Sequence, residues 1–169
     1  MAYEGHLQSS AGIVARCGVI TLSDTRTADT DRSGATIKEL LAGAGHVVAD
    51  YVVIPDDEKR LDELLAQWLG REDIDAVLTN GGTGVSQRDR TIGVIEKHLQ
   101  TVLPGFGELF RALSFEQIGS GAMLSRAVGG IGAGKVVFAM PGSTAAVELA
   151  MTRLILPELR HLIGEMRKG

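Results

Sequence analysis

The segment Ala76–Asp89, which reads AVLTNGGTGVSQRD, decides the fold prediction. Its apolar first half predicts a buried strand, and the three glycines that follow let the backbone turn sharply with its N–H groups pointing outward. Ligands of open α/β sheets bind outside the carboxyl ends of the strands, where this loop would lie. The loop is therefore either a cradle for a phosphorylated or carboxylated ligand, with Arg88 and Asp89 supplying charge, or a tight strand-to-helix turn whose glycines serve geometry alone.

Composition excludes several classes of function. The chain has 169 residues, a net charge of −4 and 4% aromatic residues, so it has neither the basic surface nor the stacking platforms of a nucleic-acid-binding protein. It contains one cysteine, Cys17, which suits a reducing compartment. The sequence shows neither a signal-peptide pattern nor an apolar run of about 18 residues. We expect a cytoplasmic protein that binds neither nucleic acid nor membrane.

Predicted strands and helices alternate along the chain, with strands over residues 17–21, 47–54, 76–79 and 136–140. This order predicts an α/β fold, a three-layer sandwich with a mostly parallel central sheet. We expect residues 1–14 to form a flexible N-terminal arm and residues 15–169 to form a single domain. The glycine-rich run at 129–134 precedes a strand and not a helix, so we interpret it as a turn between strands. Pro157 should end or kink the C-terminal helix.

Four polar loops follow predicted strands, and in a parallel sheet they would share one edge: Ser23-Asp24, Asp56-Asp57, Gly81 to Asp89, and Pro141 to Ser143. Two of the loops place a carboxylate, Asp56 or Asp89, beside a glycine cradle. Paired carboxylates can hold Mg²⁺ that bridges phosphates. Taken singly, each aspartate is more often a helix cap or a solvated turn residue. The sequence has no P-loop, no serine nucleophile elbow and no zinc-ligand spacing.

Several motifs occur together in order and spacing: TNGGTG at 79–84 with Arg88-Asp89, PGFGE at 104–108, LSR at 124–126 and MPGS at 140–143. With these motifs the chain resembles the MoaB/MogA family of molybdenum cofactor biosynthesis proteins, which includes the G domain of gephyrin-like proteins. The similarity runs from about residue 18 to residue 162. The segments 113–116 and 138–144 place the chain nearer to the MoaB branch.

The resemblance implies binding of molybdopterin, assembly as a homotrimer or homohexamer, and cooperation with other proteins of the pathway. Active members are nucleotidyltransferases in which the phosphate of molybdopterin attacks the α-phosphate of Mg-ATP and pyrophosphate leaves. The family's two acidic positions match Asp56 and Asp89, which are the expected catalytic residues and Mg²⁺ ligands. The other motif residues and strand-end residues are expected to bind ligand: Ser23, Asp24, Gly81, Gly82, Thr83, Gly84, Arg88, Glu108, Ser125, Arg126, Pro141, Gly142 and Ser143.

Three functions follow from these patterns. The first is a molybdopterin adenylyltransferase in which the glycine loop and the helix start at Ser143 present N–H groups to phosphates, and Arg126 or Arg88 offsets developing charge. The second is a non-catalytic molybdopterin-binding or scaffold protein, indicated by Asn80 where the clearest adenylating members have a second threonine. The third is an unrelated phosphosugar or nucleotide binder.

Overall fold

The computed structural model describes residues 2–169. The helices are α1 (Ala2–Ser10), α2 (Arg32–Gly43), α3 (Glu58–Leu69), α4 (Thr91–His98), α5 (Pro104–Ile118), α6 (Thr144–Ala150) and α7 (Leu156–Lys168). A 3-10 helix spans Gly119–Leu124, and a π-helical turn spans Met151–Ile155. The strands are β1 (Arg16–Leu22), β2 (Val47–Ile54), β3 (Ala76–Asn80), β4 (Thr101–Val102), β5 (Val128–Gly132) and β6 (Lys135–Met140).

One six-stranded sheet organises the domain, in the order β2-β1-β3-β6-β5-β4. Strands β2, β1, β3 and β6 run parallel to one another, and β5 runs antiparallel to both of its neighbours. Every residue of β3 is buried, as expected for a strand with a neighbour on each side and helices above and below. The predicted three-layer α/β fold with a mostly parallel sheet is confirmed.

Each face of the sheet has its own apolar core. One core packs α2, α5, α6 and α7 against the sheet and includes Ile37, Phe110 and Leu159. The other packs α3 and α4 and includes Leu61 and Ile95. With both faces covered, the polar residues at the carboxyl ends of the parallel strands are the part of the sheet left accessible for binding.

Three helices begin at the polar residues that the sequence indicates. Asp31 accepts a hydrogen bond from the backbone N–H of Gly34, and Ser143 accepts one from that of Ala146. Of the two candidate caps after β2, Asp57 is the one that caps α3. These side chains satisfy N–H groups that have no partner within the helix. Asp56 does not take part in the cap and lies at the carboxyl ends of the parallel strands. This edge of the sheet is called the crevice below.

The structure corrects two expectations in the C-terminal half. Residues 128–132 of the glycine-rich run form β5 and not a turn, and the reversal is confined to Ala133 and Gly134, both with positive φ. Pro157 does not end helical structure, and whether it bends the helix stays a prediction. The π-helical turn that precedes α7 joins it to α6. Pro157 lies in the first turn of α7, where proline is tolerated because backbone N–H groups there commonly lack a partner within the helix.

The N-terminal segment also differs from its expected form. Residues 2–10 of the expected arm form α1, and α1 contacts α7. Met1 lies outside the described residues, and the mobility of the segment stays a prediction. Residues 2–169 contain no helix with the length and hydropathy that a bilayer crossing requires.

Candidate functional site

The four strand-end loops meet at one edge of the sheet. The backbone N–H of Asp56 donates to Asp24 Oδ1 at 3.0 Å, which ties the loop after β2 to the loop after β1. The N–H of Gly81 donates to the carbonyl of Met140 at 3.0 Å, which ties the loop after β3 to the end of β6. A Cβ added at Gly142 would lie 3.1 Å from the Cα of Gly81, so the two loops touch through backbone.

The glycine loop needs glycine at two positions. Gly81 has a φ of 98° and Gly82 has a φ of 66°, values that residues with a side chain rarely adopt. A Cβ at Gly82 would also lie 2.1 Å from Thr91 Oγ1 and 3.0 Å from Asp56 Oδ1. The carboxylate of Asp56 therefore lies directly beside the loop backbone. Whether the loop binds a ligand stays a prediction.

Arg126 holds the loop in place. Its Nε donates to the carbonyl of Gly84 at 2.8 Å, its Nη2 donates to the carbonyl of Asp89, and its backbone N–H donates to the carbonyl of Thr83 at 3.2 Å. Asp89 adds a further restraint, since its Oδ2 accepts the N–H of Ser86 at 3.0 Å. These contacts make Arg126 a positioning residue for the loop, and its part in offsetting charge stays a prediction.

Three carboxylates and one guanidinium form the charged centre of this edge. Burial raises the pKa of Asp56, and the negative charges of Asp24 and Asp89 raise it further, while Arg88 lowers it. Arg88 Nη2 lies 2.9 Å from Asp24 Oδ2, and its side chain is 80% exposed. A carboxylate that is disfavoured in its charged form by two others is suited to bind a cation. Sequence reasoning placed Asp24 among the ligand-binding residues but missed it as the third carboxylate.

A cavity of about 410 Å³ opens beside Asp56 and is also lined by Arg88, Thr91 and Lys59. Its size lies in the range of small-molecule sites. A second cavity, of about 500 Å³, is lined by Glu108, Ser125 and Arg126, and its lining shares no residue with the first. The structure thus places Asp56 and Arg88 at one cavity and Glu108, Ser125 and Arg126 at another, while Ser23 and Asp24 line a third cavity of about 480 Å³.

Ser125 carries a buried polar atom beside the second cavity. Its Oγ is buried and lacks a hydrogen-bond partner in the part of the chain that the structure describes, residues 2–169. Buried hydroxyls are nearly always paired with protein or water. Arg126 also lines a groove with Asp89, so it lies between the second cavity and the glycine loop.

The loop Pro141–Ser143 is held by residues that the sequence analysis did not single out. The carbonyl of Gly142 accepts hydrogen bonds from Ser33 Oγ at 2.6 Å and from Arg26 Nη1 at 3.0 Å. The hydroxyl of Ser143 is already engaged with the N–H of Ala146 at 3.2 Å. The polar stretch after β1 was a visible signal for Arg26, but its partner lies 116 residues away and leaves no local trace.

Ser23 supports the crevice mainly through its own turn. Its Oγ accepts the backbone N–H groups of Thr25 and Arg26, at 3.2 and 3.0 Å. This side-chain turn fixes the path of the loop after β1 and hence the position of Asp24. Among the predicted residues, Asp24, Asp56, Asp89 and Arg88 therefore form the charged centre, and Ser23 shapes it.

Comparisons with known proteins bear on this geometry. A family described as a probable molybdopterin binding domain matches residues 18–161. Molybdenum cofactor biosynthesis protein B of Halalkalibacterium halodurans is 50% identical over 169 residues, which cover 99% of this chain and 99% of that protein. A crystal structure of a molybdenum cofactor biosynthesis protein B has a TM-score of 0.91 and 50% identity, covering 93% of this chain and 98% of that one. The molybdopterin biosynthesis Mog protein of Mycobacterium ulcerans has a TM-score of 0.82 at 26% identity, covering 93% and 100%.

Proposed function

The chain belongs to the molybdopterin-binding domain family of MoaB and MogA proteins, on the MoaB side, and from that premise we propose that it is a molybdopterin adenylyltransferase. Its place is molybdenum cofactor biosynthesis, and its ligand is molybdopterin. In the proposed reaction a phosphate oxygen of molybdopterin bonds to the α-phosphorus of ATP. The bond from that phosphorus to the bridging oxygen of the β-phosphate breaks, and pyrophosphate leaves.

The observation that carries the proposal is the placement of Asp56. Its carboxylate lies against the backbone of Gly82, its pKa is raised by burial and by Asp24 and Asp89, and it borders a cavity of about 410 Å³. A structural carboxylate is normally paired with donors that lower its pKa. An ionised carboxylate in the position of Asp56 gains most from a bound cation.

The donor chemistry of these residues suits Mg²⁺. Asp24, Asp56 and Asp89 offer carboxylate oxygens, which are hard donors, and the charges of Asp24 and Asp89 disfavour the ionised form of Asp56. Asp56 and Asp89 would hold the ion, which would supply charge neutralisation at the phosphates of ATP. The ion belongs with ATP as substrate, so its presence depends on nucleotide.

The chain's own part in the reaction is binding and orientation. The N–H groups of the Gly81–Gly84 loop offer donors for phosphate oxygens, and Arg126 keeps that loop in position through its bonds to Gly84 and Asp89. Arg88, mostly exposed, is placed to exchange its contact with Asp24 for a phosphate. The attacking oxygen belongs to molybdopterin, so the protein supplies no nucleophile.

Incubation of the purified chain with molybdopterin and Mg-ATP tests the proposal. We expect pyrophosphate and adenylylated molybdopterin in equal amounts, with neither formed when molybdopterin or Mg²⁺ is omitted. Bound molybdopterin without pyrophosphate release would reject the catalytic function. It would leave the coarser assignment to the pathway intact.

A non-catalytic molybdopterin-binding or scaffold protein is the alternative, and one observation favours it. The guanidinium groups of Arg88 and Arg126 are both engaged by protein oxygens, which leaves fewer cations for a triphosphate. A binding-only protein would retain molybdopterin with the same affinity in the presence and absence of Mg-ATP. An adenylyltransferase would show coupling between the two ligands.

We also propose that the chain assembles through the surface of α5 and the 3-10 helix that follows. The building block would be a homotrimer, and two trimers would pair to form a homohexamer. Large apolar side chains are exposed together there: Leu109, Phe115, Ile118, Met123 and Leu124. Such a patch on a folded domain indicates a contact surface between protein chains. Soluble homo-oligomers usually have closed point-group symmetry. The glycine-rich run at 129–134 packs within the chain, because a Cβ at Gly129 would meet the ring of Phe138 at 2.7 Å.

Light scattering on wild type and on Phe115→Ser tests this assembly. A trimer or hexamer that dissociates in the variant is the expected result. A wild-type chain that is monomeric or a simple dimer at micromolar concentration would refute a trimer-based assembly.

A further inference from the structure

A cluster of two imidazoles and one carboxylate joins the N-terminal helix to the C-terminal helix, apart from the crevice. His6 lies on α1, and His161 and Glu165 lie on α7. His6 Nδ1 is 3.5 Å from Glu165 Oε1, and His161 Nε2 is 3.7 Å from the same oxygen. All three donor atoms lie within 4.8 Å of one another.

These separations approach those of a metal site. Zinc bonds of about 2.0–2.1 Å at tetrahedral angles place neighbouring donor atoms about 3.3–3.4 Å apart. The two distances to Glu165 Oε1 exceed that spacing by less than about half an ångström, a difference that ordinary side-chain adjustment covers. His161 and Glu165 are also four residues apart on one helix, the spacing that aims two ligands at one point.

The outer contacts of His161 match those of a metal-binding histidine. Its other ring nitrogen, Nδ1, lies 3.2 Å from Glu158 Oε2, and Glu158 Oε1 accepts a hydrogen bond from the hydroxyl of Tyr3. Histidine ligands almost always donate their second ring N–H to a carboxylate or carbonyl, which fixes the ring and the tautomer. The carboxylate of Glu158 does this for His161 and leaves Nε2 free to bind a cation.

The cluster already attracts positive charge. The ammonium of Lys168 lies 2.5 Å from Glu165 Oε1 and 3.4 Å from His6 Nδ1. A surface ion pair alone explains the contact with Glu165. It does not explain why two imidazoles stack at 5.6 Å between ring centroids with their nitrogens turned toward one carboxylate oxygen.

We propose that His6, His161 and Glu165 form a binding site for a divalent transition-metal ion, in the first instance Zn²⁺, that ties α1 to α7. Two imidazoles and a carboxylate suit Zn²⁺, whereas Mg²⁺ prefers oxygen donors alone. Water would complete a four-coordinate site. The ion displaces the Lys168 ammonium, so Lys168 is a competitor built into the site. The site is independent of the adenylyltransferase proposal and of the crevice.

Isothermal titration of the chelator-treated chain, prepared without a polyhistidine tag, with zinc chloride tests the site. We expect one ion per chain. His6→Ala should weaken binding more than 100-fold, and Glu158→Gln should weaken it about 10–100-fold, the range for outer partners of a ligand. Lys168→Ala should strengthen binding, a change of opposite sign that general damage to α7 would not give. Cobalt absorption spectra of the same proteins report the coordination geometry.

His98→Ala is the matched control, because His98 also faces a carboxylate, Asp62, at 2.7 Å, without a second histidine. It should bind zinc as wild type does. His6 is 47% exposed, so His6→Ala should keep its cooperative melt and its loss of binding will be interpretable. Equal zinc affinity in wild type and His6→Ala, an equal loss in His98→Ala, or no binding at micromolar zinc would each overturn the proposal.

Discussion

Two adjacent aspartates should respond to substitution in opposite ways. Asp56 faces the crevice, and the charges of Asp24 and Asp89 act against its ionised form, as the raised pKa shows. Asp57 caps α3, with its Oδ1 accepting the N–H of Arg60 at 2.7 Å. Asp56→Asn should therefore abolish most of the activity while making the fold more stable. Asp57→Ala should destabilise the fold with a far smaller loss of activity.

The magnitudes follow from the surroundings of each carboxylate. A partly exposed charge pair contributes about 0.2–1 kcal/mol. Asp56 has two repulsive neighbours and one attractive neighbour, Arg88, so the net gain from Asp56→Asn is about 0.5–1 kcal/mol. Loss of a helix cap costs about 1 kcal/mol. For a domain of this size 1 kcal/mol shifts Tm by about 2–4 °C, so Tm should rise by about 1–4 °C in the first variant and fall by about 2–4 °C in the second.

Calorimetric melts at one protein concentration measure the stability of both variants, and the pyrophosphate assay measures their activity. Turnover of Asp56→Asn should fall by about 10²–10³-fold, as when one preorganised electrostatic contact is lost. The stability gain should also shrink in acid. A carboxyl with a raised folded pKa is already neutral in both states below its ordinary value of 3.8, so wild type and variant converge there. A drop in Tm for Asp56→Asn would refute this reasoning, because it would show that the carboxylate is a structural acceptor.

Three further substitutions test the site and its support. Asp89→Ala should lower turnover by orders of magnitude and leave the melt cooperative; a coincident collapse of the melt would reassign Asp89 to loop structure. Gly82→Ala (φ of 66°, crowded) should destabilise by at least about 1 kcal/mol more than Gly134→Ala (φ of 72°, open), as measured by urea unfolding, and equal losses would contradict the crowding. Tyr51→Phe removes a 2.6 Å hydrogen bond to buried Asp31 and should cost about 1.5–3 kcal/mol at neutral pH. Because that bond lowers the pKa of Asp31, the loss should fade as pH falls below 3.8.

The sequence predicts the sheet edge well because local rules govern it. A parallel strand followed by glycines or a capping residue has few alternatives, so the ends of β1, β2, β3 and β6 and the caps of their helices are readable from short segments. The same rule brings Asp24, Asp56 and Asp89 to one edge. Strand β5 is not predictable in this way, because three of its five residues are glycine and only tertiary contacts with Phe138, Thr101 and His98 account for them.

What the sequence does not give is which polar residues pair across long separations. Arg126 contacts the loop at Gly84 from 42 residues away, and Arg26 contacts Gly142 from 116 residues away. Helix α1 is missed for a similar reason: its amphipathic pattern is weak, and its position rests on contacts with α7 near the opposite end of the chain. Pairing of this kind depends on the fold as a whole, and a sequence window carries no trace of it.

The direction of the pKa shift separates two kinds of carboxylate that look alike in the sequence. Asp31 and Asp56 each stand in a polar loop between a strand and a helix. Burial raises the pKa of both, but hydrogen bonds from Thr21, Tyr51 and Gly34 reverse the effect at Asp31, whose side chain is fully buried. At Asp56 the neighbouring carboxylates add to the effect of burial. Asp31 thus contributes to folding at neutral pH, whereas the charge of Asp56 opposes it, and a cation bound at the crevice is what would relieve that opposition.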